Sequence, residues 1–251
     1  MKKKIRVNIL FPIASLFLFM AVSSFTVPSA NRRVAPPDTL LYKKNVNYQH
    51  EIDLYKINKI KQADIVMLGN SLTHGANWNE LLGRKSVIER GIVSDVVEGF
   101  YHRMSYVYKL NPKIVFVLGG LNDIFSWVPV EEIYKYYVKI INGLKSRRII
   151  PVIQSTLYAG KSWGKAWIKK NHPELNVAKY NAGRNDEVDK LNRMLKNFAR
   201  VNKIDFIDLN PLMSRGHYLK PELTYDGVHL KAAGYKIWAK EVDKVLRKHK
   251  L

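Results

Sequence analysis

The chain has no cysteine anywhere in its 251 residues. Disulfides, thiolate metal sites and a cysteine nucleophile are therefore excluded, and any nucleophile must present oxygen or nitrogen. Acidic residues are also scarce: 21 Asp and Glu stand against 42 Lys and Arg, a formal net charge of +21. A surface that basic attracts polyanions without specifying one. The lysines are scattered, with no dense basic arm, no zinc-finger spacing and no aromatic–basic signature. The charge therefore reads as a solvated surface, weakly attracted to anionic surfaces or polymers and specific for no nucleic acid. Internal repeats and low-complexity segments are absent.

What is present divides the chain into three parts. Lys2, Lys3, Lys4 and Arg6 precede an apolar run over residues 9–22, followed by Ser23, Ser24 and Pro28-Ser29-Ala30. Basic, apolar, then small is the order of a secretory signal peptide, so residues 1–30 read as a leader and the protein as exported to a periplasmic or extracellular space. The run is short for a membrane span and carries Pro12, which favours a cleaved leader over an anchor. Residues 31–60 are polar and mixed, with Pro36-Pro37, and read as a lead-in segment. Residues 61–251 are long enough for one α/β domain with a substantial core.

In that domain, short β-rich runs at residues 63–69, 86–90, 113–120, 148–153 and 204–209 alternate with helical periods. Val93, Val96, Val97, Phe100, Met104, Val107 and Tyr108 share one helical face. So do Ile133, Tyr137, Ile140, Ile141 and Leu144, and in a third segment Val188, Leu191, Leu195 and Phe198. A last helix carries Leu230, Ala233, Ile237, Trp238, Val242 and Val245. Strand–helix alternation implies right-handed βαβ units around a parallel sheet. Such sheets place ligand sites at the carboxyl ends of their strands.

Four positions stand out at strand ends or in loops: Ser71 in "LGNSLTHG", Gly91 in "IERGIVSD", Asn122 in "GLND", and Asp226 with His229 in "YDGVHL". Singly, each has an ordinary use as turn, strand terminator or helix cap. Together they supply the parts of acyl transfer. Ser71 is a weak nucleophile until a base takes its proton, and His229 is the candidate base. Asp226 can fix the tautomer of His229. The backbone N–H groups of Ser71 and Gly91 and the Asn122 amide are candidate donors to an oxyanion.

These four blocks, in this order, resemble the SGNH hydrolases, also called the GDSL esterase and lipase family. The "LGNSLTHG" and "TYDGVHLKAAGYKIWA" segments look most like its branch of platelet-activating-factor acetylhydrolase-like enzymes and sialate O-acetylesterases. The resemblance implies a three-layer, flavodoxin-like α/β sandwich with a five-stranded parallel sheet. It also implies a Ser71–His229–Asp226 triad, an oxyanion hole of Ser71, Gly91 and Asn122, and no metal or organic cofactor. Asn70 stands where the family usually has Asp, and Val93-Ser94 where more glycine is usual.

His74 has no carboxylate at a useful spacing and reads as pocket-lining or solvent-facing. His172 reads as a loop residue, and Asp205 and Asp208 as structural. Residues 155–176 are long for a strand-to-helix connection and hold Tyr158, Trp163 and Trp167 among Lys161, Lys165, Lys169 and Lys170. The segment is either a short helix packed on the core or a loop whose aromatic faces hold a sugar ring or acyl chain. The reading is an exported serine esterase that takes a small acyl group, acetyl for preference, from a carbohydrate or glycoconjugate. A lysophospholipase or lipase, or a non-catalytic glycan- or polyanion-binding module, are the alternatives.

Overall fold

The computed structural model describes residues 41–251. The leader read at residues 1–30, and the start of the lead-in, lie outside the described residues. Strands β1 (Ile65–Gly69), β2 (Val87–Gly91), β3 (Ile114–Leu118), β4 (Ile150–Gln154) and β5 (Asp205–Ile207) form one sheet in the order β2-β1-β3-β4-β5. Every pairing is parallel. β1 and β3 are buried at every position, which is why they read as unbroken apolar runs.

Helices Val97–His102, Val130–Lys145 and Val177–Asn202 pack on one another in one layer, and Trp78–Leu82 packs with Ala232–Lys248 in the other. Trp78 meets Trp238 edge-to-face at 4.7 Å in that second layer. The result is the three-layer, flavodoxin-like sandwich. Among the described residues no helix is long and apolar enough to cross a membrane.

Three local readings change. First, residues 41–57 are helical, as Leu41–Lys44 and Val46–Ile57. Ile52 and Tyr55 bury against Ile92. Asn45 Nδ2 donates to the Val93 carbonyl at 2.8 Å and Tyr55 Oη to the Gly91 carbonyl at 3.2 Å. The segment is held by a few side-chain-to-backbone bonds, so it carries little apolar stripe to read. Second, Val93 and Val96 precede their helix, which starts at Val97 and is interrupted at Arg103. Third, the last helix buries Tyr235, Trp238, Ala239, Val242 and Leu246, while Ala233 is exposed. Of the face expected, Leu230, Trp238 and Val242 are buried and Ile237 and Val245 pack partly buried against the core, so Ala233 is the one departure.

Strand order reverses between β1, whose chain continues to β2 on one side, and β3 on the other. Gly69 is in register with Gly91 and with Leu118. The residues that follow all three strands therefore leave the same edge of the sheet, at the switch point where such folds bind ligands.

Candidate active site

At the end of β1 the chain turns into a short helix, Ser71–His74. Asn70 caps it, its Oδ1 accepting the Leu72 N–H at 3.0 Å. An amide performs this task as well as a carboxylate does, so the Asn is accommodated. β2 approaches this helix closely: a Cβ at residue 91 would lie 2.5 Å from the His74 nitrogen and 2.7 Å from the Asn70 oxygen. Only glycine fits there.

The loop before the last helix brings in the other partners. Asp226 Oδ1 accepts the N–H groups of Val228 at 2.9 Å and His229 at 2.8 Å. Thr224 Oγ1 donates to the His229 carbonyl at 2.7 Å, closing the loop. The second Asp226 oxygen lies 2.6 Å from His229 Nδ1, and His229 Nε2 lies 3.0 Å from Ser71 Oγ. Burial works against the Asp226 charge, but the bonds from His229 and from two backbone N–H groups hold its carboxyl below the usual range. Tyr225 stacks on the His229 ring at 5.8 Å, and Trp163 meets it edge-to-face at 5.9 Å. The sequence-expected Ser71, His229 and Asp226 are thus in hydrogen-bonded series.

The oxyanion candidates are more constrained. Asn122 Nδ2 donates one hydrogen to the Asp95 carbonyl at 2.9 Å, leaving its second hydrogen to give. The Gly91 N–H is engaged by the Glu89 carboxyl. Burial pushes the Glu89 carboxyl up to about 7, against the opposing pull of the Gly91 hydrogen bond. Glu89 was not singled out from sequence, although two-residue strand spacing puts it on the same face as Gly91.

Beneath the site lies Arg103, whose side chain is 1% exposed and faces an Asp95 carboxylate that is wholly buried. Nε donates to Asp95 at 2.8 Å, one terminal nitrogen to the Arg90 carbonyl at 2.9 Å, and the other to the Gly69 carbonyl at 2.8 Å. Burial opposes its charge, but Asp95 and Tyr55 offset that and hold its pKa above the usual value. Ser94, in the loop between Gly91 and Asp95, has a φ of 62°, a left-handed conformation that glycine takes more readily.

The aromatic segment divides. Residues 155–160 are mostly buried and their backbone is satisfied by asparagines of the Val177–Asn202 helix: Asn192 pairs with Thr156, and Asn185 with Ala159. Tyr158 donates to Asp189 and faces a cavity lined by Asn192, Arg193 and Phe206, apart from the triad residues. Trp167 is 60% exposed and packs on His172. Of the three aromatics, only Trp163 reaches His229. His74 lies 3.9 Å from Glu89, Asp205 binds Lys248 and His249, and Asp208 pairs with Lys196. Among the described residues no group of His, Asp and Glu is arranged to hold a metal.

A flavodoxin-like sheet with this serine–histidine–aspartate series at its switch point defines an ester-hydrolysing α/β enzyme. The chain belongs to the GDSL-like lipase/acylhydrolase family, whose model matches residues 67–237. It resembles a GDSL-like lipase of Bacteroides thetaiotaomicron, at 22% identity and TM-score 0.65 over 81% of this chain and 98% of that one. It also resembles an acetylxylan esterase from Geobacillus stearothermophilus, at 17% identity and TM-score 0.54 over 76% of this chain and 95% of that one. An N-acylneuraminate cytidylyltransferase of Streptococcus agalactiae is 27% identical over 117 residues, 45% of this chain. The match spans 23% of that relative's length.

Proposed function

We propose that this chain is an exported serine esterase that removes a small acyl group, acetyl for preference, from a carbohydrate or glycoconjugate through an acyl-enzyme. The observation that carries the reading is the series Ser71 Oγ, His229 and Asp226, with separations of 3.0 and 2.6 Å. In the first half-reaction Ser71 Oγ bonds to the acyl carbon while its proton passes to His229 Nε2. Asp226 stabilises the imidazolium formed. The oxyanion takes the free Asn122 hydrogen and the backbone N–H groups of Ser71 and Gly91, the last once Glu89 gives way. His229 then protonates the leaving alcohol oxygen. In the second half-reaction water, deprotonated by His229, releases the acid and restores Ser71.

The preference for a small acyl group is supported by Tyr225 and Trp163, whose rings stand 5.8 and 5.9 Å from that of His229. The carbohydrate is supported by that aromatic surface and by the names of two similar proteins, one for a xylan ester and one for a sugar. The leader-like segment at residues 1–30 supports export. Ser71→Ala should lower hydrolysis of a simple aryl acetate by at least about 10⁴-fold with the thermal unfolding midpoint retained. Near-wild-type turnover in that variant would remove Ser71 as the nucleophile.

A further inference from the structure

The short helix Leu121–Phe125 carries Asn122 and, one turn on, Phe125 on the same face. Phe125 meets Trp163 edge-to-face at 6.4 Å, and Trp163 in turn touches His229. On its other side Phe125 contacts Tyr180 at 6.2 Å, and Tyr180 contacts Trp127 at 6.5 Å. Trp163, Phe125 and Tyr180 are half-buried and Trp127 is exposed, so this run of rings extends along the surface from His229. At its far end the Arg184 guanidinium lies 3.6 Å from the centre of the Trp127 ring and donates to the Ile124 carbonyl at 3.4 Å. No carboxylate pairs with Arg184 among the described residues.

Trp127 is also an unexpected residue for its backbone. The Trp127 N–H bonds the Ile124 carbonyl at 3.1 Å and the Val128 N–H bonds the Asp123 carbonyl at 3.0 Å. This is the helix-ending motif whose left-handed position favours glycine. Here that position is Trp127, with φ 61° and 58% of its surface exposed. A bulky side chain is disfavoured at such angles, and this one recovers little by burial. What the ring does contact is the Arg184 guanidinium and Tyr180, at a face open to solvent.

We propose that Trp127 and Arg184 form a subsite for a carboxylate-bearing sugar ring, part of the ester whose acyl group is taken at Ser71. The inference rests on the esterase reading and names the class of sugar. Ring C–H groups pack on the aromatic faces, as sugars do on exposed indoles. The guanidinium, 3.6 Å over the Trp127 ring with no carboxylate paired to it among the described residues, offers its N–H fork to the sugar's carboxylate. Phe125 and Trp163 continue the wall from this anchor to the reacting ester.

The test compares three acetyl esters: an O-acetylated glucuronoside oligosaccharide long enough to span from Ser71 to Arg184, the matching O-acetylated neutral glucoside oligosaccharide, and an aryl acetate. Arg184→Gln should lower kcat/KM on the glucuronoside ester about tenfold to hundredfold, mainly through KM, and lower it far less on the glucoside. Trp127→Gly should raise the thermal unfolding midpoint by relieving the left-handed strain, yet lower kcat/KM on both sugar esters more than on the aryl acetate. Equal losses for acidic and neutral sugars in Arg184→Gln, or a Trp127→Gly protein with undiminished sugar-ester turnover, overturn the subsite. A wild-type enzyme with Ser71-dependent aryl-acetate turnover but no preference for the glucuronoside overturns the subsite alone. Loss of Ser71 dependence on all three esters overturns the esterase reading and the subsite with it.

Discussion

Glu89 sets a carboxyl against the backbone N–H of Gly91, one of the groups an oxyanion would need. Around it stand His74 from the next element, Arg90 and Arg103, and Glu51 from the helix Val46–Ile57. Burial raises this carboxyl from 4.5 to about 7. The folded protein therefore holds a proton that the unfolded chain has released between those values. The contribution to stability is present in full below the unfolded value and is lost as pH rises through about 7. Glu89→Gln cannot ionise, so its unfolding midpoint should fall less than that of the wild type between pH ~5 and pH ~8. Asp123, also raised to about 7 by burial, keeps some of the slope in both proteins. Above pH ~7 an ionised Glu89 also repels the developing oxyanion, so the variant should turn over an aryl acetate faster than the wild type at pH ~8. Identical slopes and identical rates at that pH would show that Glu89 does not titrate against Gly91.

Among the elements, three chain ends meet on one guanidinium. Arg103 holds the carbonyls of Gly69 and Arg90, which precede the Ser71 turn and Gly91, and the carboxylate of Asp95, whose carbonyl holds Asn122. It touches no reacting atom, so it is a positioning residue. Lysine keeps the charge but cannot span three acceptors with one ammonium. Arg103→Lys should therefore lower kcat with little change in KM. Asn122→Ala alone should cost on the order of 10²–10³ in kcat. In the Arg103→Lys background that loss should shrink, because Asn122 has already lost its placement. Additive losses, or a change confined to KM, would leave Arg103 as fold support only.

The same elements show what could be read from residues alone. β1 and β3 stood out because burial on both faces leaves nothing but apolar side chains, and strand ends then pointed to Ser71, Gly91 and Asn122. The Asp226–His229 spacing was legible because three residues are enough for a local turn to return the carboxylate to the ring. Arg103 was hidden, since a single arginine in a helical period reads as solvent-facing when its partners are distant carbonyls. Asn185 and Asn192 were hidden likewise: on a helix they read as a polar face, yet they satisfy the buried backbone of residues 155–160. That substitution of side-chain amides for strand partners also explains why Tyr158 belongs to the scaffold while Trp163, beyond it, reaches His229.

For the whole molecule, the dominant quantity is charge. Among the described residues most ion pairs have at least one exposed partner, as in Lys135–Glu132 and Lys190–Glu187, and such pairs contribute little to stability. With 42 basic residues against 21 acidic, they leave a large excess of positive charge unneutralised. Its field extends about 8 Å at physiological salt and raises the local concentration of anions over the whole surface. An acidic polysaccharide ester should therefore reach the site faster than a neutral one, before any contact with Arg184 is made. Raising salt from ~50 to ~500 mM shortens the field to a few Å. kcat/KM for an acetylated acidic polysaccharide should then fall severalfold, while kcat/KM for a neutral aryl acetate stays nearly level. Arg184→Gln should retain most of this salt dependence, because the field is summed over many lysines and arginines and Arg184 is a single charge among them. A salt effect of equal size on acidic and neutral esters would reduce the charge to a solvating surface with no part in substrate capture.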